Sequence, residues 1–327
     1  MDKIAFVSGG TGFLGINLIR ELQKKDWKVF ALHRPSSSLK YLKNLEIELI
    51  PGDITDIDSL RNGIPENPDA IFHVAASTNL WAKNNDSQTK INVEGTENMV
   101  KVALEKKAKR FIHTSSIAAY GFHHGVIDEN TPSNAMDSNI NYFITKFQAE
   151  EIIKKATAEK GLDAVILNPC HIMGPFDQHN WVQLIQTVYH NNLPGIPPAN
   201  GWFCHVEEVA KAHISAFENG VTGENYIMAG EKNSFKRVVN ILQEKFNQKI
   251  SQQVTPAFLL KIALWKDTLV SWINKNEPLL TPEKYQLLLE DLEADDSKAK
   301  ENLGFKKIPV DQILEDSIKW LKKENLL

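Results

Sequence analysis

The sequence has only two cysteines, Cys170 and Cys204, and neither belongs to a CxxC pair. That excludes a disulfide framework and a thiolate zinc site, and it suits a reducing compartment. The histidines are scattered, and His123-His124 lacks the i, i+4 spacing of a metal-binding helix face, so no metal is expected. No apolar run reaches the roughly 18 residues of a membrane span. Met1-Asp2-Lys3 leads into a short apolar segment without a signal-peptide layout. Neither sign of charge dominates: 37 basic and 41 acidic residues leave −4, which argues against a broad nucleic-acid-binding surface. The expected location is the cytoplasm, and the expected partner is a small molecule. Internal repeats and low-complexity tracts are missing too.

What is present is alternation. Residues 4–7, 29–32, 47–50, 70–74, 111–114 and 164–167 are short, often β-branched runs without polar alternation, as buried parallel strands require. Between them, residues 14–25, 93–107 and 142–160 carry helical periodicity. Such repetition predicts an α/β fold with a doubly wound parallel sheet. Beyond Leu167 the Pro/Gly cluster at 193–198 marks irregular connections. Asn225–Met228 reads as a late return strand. Past Gly230 the pattern is almost wholly helical, with Ser234 and Thr281 as N-caps.

Ser8-Gly9-Gly10-Thr11-Gly12-Phe13-Leu14-Gly15 follows the first strand and opens the first helix. Glycines there permit a tight turn and let the backbone approach a pyrophosphate seated on the helix N-terminus. The alternative is a βα turn that needs glycine for packing alone. On this reading residues 1–168 form a Rossmann-like NAD(P)-binding domain with a return segment near 200–230. Residues 169–199 and 231–327 form a smaller, mostly helical substrate-binding part. Asp53, after Pro51-Gly52, could meet an adenine amino group, or it could be a turn or N-cap aspartate.

Tyr142-Phe143-Ile144-Thr145-Lys146 puts Tyr142 and Lys146 on one helical face. An ammonium nearby stabilises a phenolate and lowers a tyrosine pKa from about 10, which makes proton exchange with a carbonyl or alcohol oxygen easier. A Tyr/Lys pair on a solvated helix is the plainer alternative. Thr114-Ser115-Ser116 ends the fifth strand, where open parallel sheets bind ligands. Its hydroxyls could hold a substrate oxygen or simply cap the strand end.

These segments resemble the extended short-chain dehydrogenase/reductases of the NAD-dependent epimerase/dehydratase family. The glycine loop, Asp53-Ile54, His73-Val74-Ala75-Ala76, Asn92-Val93-Glu94-Gly95-Thr96, Thr114-Ser115-Ser116 and the Tyr142/Lys146 pair occur in the family's order. Asn168-Pro169-Cys170-His171-Ile172-Met173-Gly174-Pro175 and His205-Val206-Glu207-Glu208-Val209-Ala210 continue it. The resemblance implies a bound nicotinamide cofactor and a Ser116, Tyr142, Lys146 triad. It implies cofactor contacts from Gly9, Thr11, Gly12, Phe13, Leu14 and Gly15, then from His33, Arg34, Asp53, Ile54, Ala75 and Ala76. Thr114, Tyr142, Lys146, Pro169 and Ile172 complete the implied set. Cys170 is given no nucleophilic role. Family members often dimerise through helices matching residues 93–107 and 142–160, so a homodimer is one expectation.

Asn79-Leu80-Trp81 is similar to a loop of the dihydroflavonol 4-reductase-like and hopanoid-associated epimerase-like branch, which makes Trp81 a candidate substrate contact beside Ser116 and Tyr142. Leu280-Thr281-Pro282, Asp296-Ser297-Lys298-Ala299 and Leu303-Gly304-Phe305 resemble that branch's tail. Ile117-Ala118-Ala119-Tyr120 lacks the acidic pair of the sugar-nucleotide dehydratases. Residues 257–273 form an apolar stripe: core, pocket wall or a membrane-surface contact. Carbonyl/alcohol redox chemistry comes first, then a sugar epimerase with transient hydride transfer, and then a non-catalytic dinucleotide-binding regulator. NADP(H) is expected over NAD(H). No carboxylate ends the second strand, and His33-Arg34-Pro35-Ser36-Ser37-Ser38 offers a guanidinium and hydroxyls to a 2′-phosphate.

Overall fold

Runs that are apolar on both faces are stable as strands only when helices cover both sides of a parallel sheet. The computed structural model has that arrangement. It describes residues 3–193, 195–250, 253–256, 258, 261, 264, 277–278, 281–287 and 292–327. The main sheet is built from β1 (Ile4–Ser8), β2 (Lys28–His33), β3 (Glu48–Pro51), β4 (Ala70–His73), β5 (Arg110–Thr114), β7 (Ala164–Pro169) and β10 (Asn225–Met228). All pair in parallel, in the order β10-β7-β5-β4-β1-β2-β3. The winding reverses at β1, which lies between β2 and β4, so a crevice opens at their carboxyl ends.

Helices α1 (Phe13–Gln23) and α7 (Val206–Asn219) pack together over one face, with Ile16, Leu18, Leu22, Val209 and Ala212 in a shared core. On the other face lie α2 (Ile57–Gly63), α4 (Gly95–Glu105) and α5 (Asn141–Lys160), whose Leu60, Met99, Val102 and Ile153 meet Phe6, Ile71 and Phe111. The helix expected over 93–107 has a different start. The chain passes from α3 (Asn85–Thr89) through a π-helical turn, Lys90–Glu94, into α4. That wide turn presents buried Asn92, whose side chain bonds both the N–H (2.7 Å) and the C=O (3.0 Å) of Ser77.

Past Gly230 the described chain is mostly helical, as expected, but it opens with a strand. Glu231–Ser234 is a strand, β11, antiparallel to β9 (Asn200–His205), which itself runs parallel to β8 (His171–Met173). Gly230 makes the reversal with φ +80°, and a Cβ there would lie 2.1 Å from the Phe203 carbonyl oxygen. Ser234 then caps α8 (Phe235–Lys245), and Thr281 accepts from Lys284 N at the start of helix Pro282–Leu287, both as expected. A second core joins α8 to α6 (Val182–Tyr189) and helix Val310–Lys323 through Val182, Ile185, Val238, Leu242, Ile313 and Leu314. Ala299, Leu303 and Phe305 instead join the main-sheet core. A small parallel pair links β6 (Val126–Ile127) to Glu293–Ala294. The 257–273 stripe lies outside the described residues except at 258, 261 and 264. Among the described residues no helix is long and apolar enough to cross a membrane.

One carboxylate ties the strand ends together. Glu150 on α5, 3% exposed, accepts hydrogen bonds from Ser115 Oγ, from Asn168 Nδ2 (2.6 Å) and from Asn225 Nδ2 (2.8 Å). Those donors follow or sit on β5, β7 and β10. Removing the acceptor strands three buried donors, so Glu150→Ala should lower the unfolding free energy by about 2–5 kcal/mol. Urea denaturation measures it, and an unchanged midpoint would show that the network carries no stability.

Candidate active site

The glycine loop leaves the carboxyl end of β1 with Gly9 at φ +69°, and Gly12 N donates to Gly9 O at 2.9 Å. A Cβ on Gly9 would lie 2.8 Å from the Ala75 backbone, and one on Gly15 would lie 2.1 Å from Gly9 O. Glycine is therefore a packing requirement here. It also does more, because Gly12 stands at the N-cap of α1 with no side-chain cap, leaving the first-turn amides for an anion. The cradle opens into a cavity of about 1030 Å³.

That cavity brings together nearly all the residues singled out in the sequence. Gly9, Thr11, Gly12, Phe13, Leu14 and Gly15 line one end. His33 and Arg34 follow β2, Asp53 and Ile54 follow β3, and Ala75 and Ala76 follow β4. Thr114, Ser116, Tyr142, Lys146, Pro169 and Ile172 line the centre. Of the three serines after Pro35, Ser37 alone reaches the wall. Asp53 behaves as a turn aspartate through one oxygen, which accepts from Thr55 N and Oγ1 at 2.9 Å each, while Asp56 caps α2. A glycine cradle, an open helix N-terminus and a distant guanidinium along one trough fit a dinucleotide. Trp81 is not on the wall. It precedes a short 3₁₀ turn with Lys83 Nζ 4.7 Å over its ring, and Leu80 lines the cavity in its place.

Tyr142 and Lys146 share a face of α5, as their spacing predicts. Lys146 is 3% exposed, and its Nζ donates to Thr114 O at 2.9 Å. Burial draws its pKa down to about 8, against the opposing pull of the Glu150 charge. Tyr142 differs from expectation. Burial pushes its pKa above the ordinary value, and a hydrogen bond from the Ser116 side chain offsets part of the rise. Lys146 Nζ, bonded to the Thr114 carbonyl, stands 6.0 Å from the phenol ring centre, and the net effect of the surroundings is upward. Ser116 Oγ also accepts from Ala118 N at 3.2 Å, so it caps the strand end as well as facing Tyr142.

Two buried histidines brace these groups, and their tautomers follow from their partners. His213 Nδ1 meets the Val209 carbonyl at 2.7 Å, so Nδ1 carries the proton and Thr114 Oγ1 donates to Nε2, also at 2.7 Å. Thr96 Oγ1 donates to Asn92 O, so it accepts from His73 Nε2 at 3.0 Å. His73 Nδ1 then accepts from Ser8 Oγ at 2.8 Å, and Ser8 Oγ accepts from Val74 N and Ala75 N. This chain presses Ala75 against Gly9. Burial lowers His73 to about 3 and His213 to about 4, so both are neutral near pH 7.

Aromatic rings also line the cavity: His171, Trp181 and Phe235, which pack on one another, Phe122 and Phe143 beside Tyr142, and Trp202. Trp181 is presented by Asp177, 4% exposed, whose carboxylate accepts from the N–H groups of His179, Asn180, Trp181 and Val182. Sequence reasoning passed over Asp177, Glu150 and this wall. An aspartate just ahead of an apolar helical run was the available signal for Asp177; the i+4 step from Lys146 was the signal for Glu150. Cys170 also lines the cavity, and burial pushes its thiol well above the ordinary value, away from nucleophilic use.

Known proteins share the sequence pattern and the fold of this chain. A curated protein of Synechocystis sp., provisionally named dihydroflavonol 4-reductase, is 29% identical over 98% of this chain and 95% of its own length. Sterol demethylase protein B of Methylococcus capsulatus is 27% identical over 98% and 99%. The crystal structure of gox2253 superposes with a TM-score of 0.85 at 28% identity, covering 99% of both chains. The sequence model of the NAD dependent epimerase/dehydratase family matches residues 5–229. The chain belongs to that NAD dependent epimerase/dehydratase family.

Proposed function

We propose that the protein is an NADP(H)-dependent oxidoreductase that interconverts a neutral, hydrophobic carbonyl compound and its alcohol. The observation that carries this reading is the set of aromatic rings that lines the same cavity as Tyr142 and Ser116. Burying apolar substrate surface there contributes about 25 cal/mol per Å². The cations on the described walls are Arg34 at the nucleotide end, Lys146 beneath Tyr142, and Lys284, which pairs with Glu277 at 3.1 Å. A sugar epimerase with transient hydride transfer would use the same three catalytic groups, but a sugar diphosphate would meet aromatic rings in this cavity. A purely regulatory role leaves the buried lysine unexplained.

A bound nicotinamide supplies or accepts the hydride. Ser116 and Tyr142 hold the substrate oxygen between two hydroxyls. Tyr142 stays protonated near neutral pH and so acts as the acid when a carbonyl is reduced, giving its phenolic proton to the developing alkoxide. The buried ammonium of Lys146 stabilises the phenolate left behind. In the reverse direction the phenolate takes the alcohol proton.

Tyr142→Phe removes the phenolic hydroxyl and leaves the ring in place. Turnover should fall by about 10²–10⁴-fold while cofactor affinity, read by calorimetry, stays the same. Full activity in the variant would sink the assignment. Arg34, exposed beyond β2 and on the cavity rim, is the group we assign to the 2′-phosphate. Arg34→Ala should weaken NADPH by about 10–100-fold and NADH little. Equal wild-type affinities for the two cofactors would refute the preference.

A further inference from the structure

Beyond the catalytic pair, β8 brings a second titratable side chain to the cavity. Alternation along the strand sends Ile172 toward the main-sheet core and Met173 toward the second core, with His171 on the Met173 side. The imidazole of His171 stands among Trp181, Phe203 and Phe235, whose ring centres are 5.0, 5.6 and 6.4 Å away. Its Cδ2 edge leans on Gly201, where a Cβ would come within 3.0 Å. Rings on several sides and a glycine beneath hold it in place, with no polar contact among the described residues.

His73, His113 and His213 offer a contrast. His73 and His213 have both nitrogens engaged, and His113 is sealed away with both unpartnered. The nitrogens of His171 are neither bonded nor sealed, and the residue lines the cavity. Burial brings it down to about 4, so near pH 7 it is a neutral imidazole with one donor and one acceptor.

We propose that His171 recognises a second, uncharged hydrogen-bonding group of the substrate, so that the substrate is an apolar ring-bearing carbonyl compound with a hydroxyl or further carbonyl remote from the reacting oxygen. This rests on the carbonyl-reducing reading above. A wholly apolar ligand would strip water from the imidazole and return nothing, so a site of this kind selects against it. A carboxylate gains no counter-charge from a neutral ring and is desolvated by the aromatic wall.

The test is calorimetric binding to the NADP⁺-loaded protein, which cannot reduce a ketone. The probes are 4-phenyl-2-butanone, its para-hydroxy counterpart and its para-carboxylate. Wild type should bind the hydroxy compound about three- to tenfold more tightly than the parent, and the carboxylate no better than the parent. His171→Phe should abolish the preference, and His171→Gln should keep part of it. Unchanged thermal midpoints and NADP⁺ affinities certify that both variants fold. A wild-type protein that does not discriminate, or a preference that survives in His171→Phe, overturns the proposal. If the preference is seen but none of the three ketones oxidises NADPH in a separate assay, the proposal on His171 stands and the reductase reading falls.

Discussion

A positive charge held out of water is the constraint on which the site depends. Lys146 is 3% exposed and has a backbone carbonyl as its hydrogen-bond partner. An ammonium in that position is costly, and its lowered pKa records the cost. The surroundings limit it. Glu150 sits one helical turn further along α5, and its own charge is satisfied by donors from three strand ends. His73 and His213 are locked into neutral tautomers by fixed partners, so they add no second cation. The same polar chains set the loops after β1, β4 and β5, so the network that shelters the lysine also shapes the nucleotide trough.

The cavity lies where two cores meet. The parallel sheet and its helices supply the cradle and the catalytic face, and the α6, α8 and Val310–Lys323 core supplies aromatic rings. β8 is the junction, with alternate side chains serving the two sides. Asp177 organises the turn that carries Trp181, using one buried carboxylate to cap four backbone N–H groups. Polar groups thus meet at the centre and apolar surface lies beyond them.

Local signals made much of this legible in the sequence. Buried strands advertise themselves as short apolar runs, and six were placed within two residues of their observed ends. The glycine loop and the Tyr142/Lys146 spacing report geometry that neighbouring residues dictate. The π turn at Lys90–Glu94 was not legible, because it answers to contacts of Asn92 with Ser77 and Thr145. Strand Glu231–Ser234 looked like part of a helical region because its partner, β9, lies some thirty residues upstream. Trp81 stood out through the resemblance of its loop to the reductase-like branch, yet the neighbouring Leu80 lines the cavity. The rise in the Tyr142 pKa comes from burial, which spacing alone does not tell.

The central claim is net hydride transfer to a substrate carbonyl. NADPH carrying deuterium at C4, prepared separately in each of its two stereochemical forms, tests it when supplied with ring-bearing ketones, while unlabelled NADP⁺ is supplied in parallel with UDP-glucose. The account predicts that one of the two forms delivers one deuterium to the carbinol carbon of the product alcohol for each NADPH consumed. Inversion of the sugar nucleotide with no net reduction of NADP⁺, together with no deuterium delivered to any ketone, would contradict it.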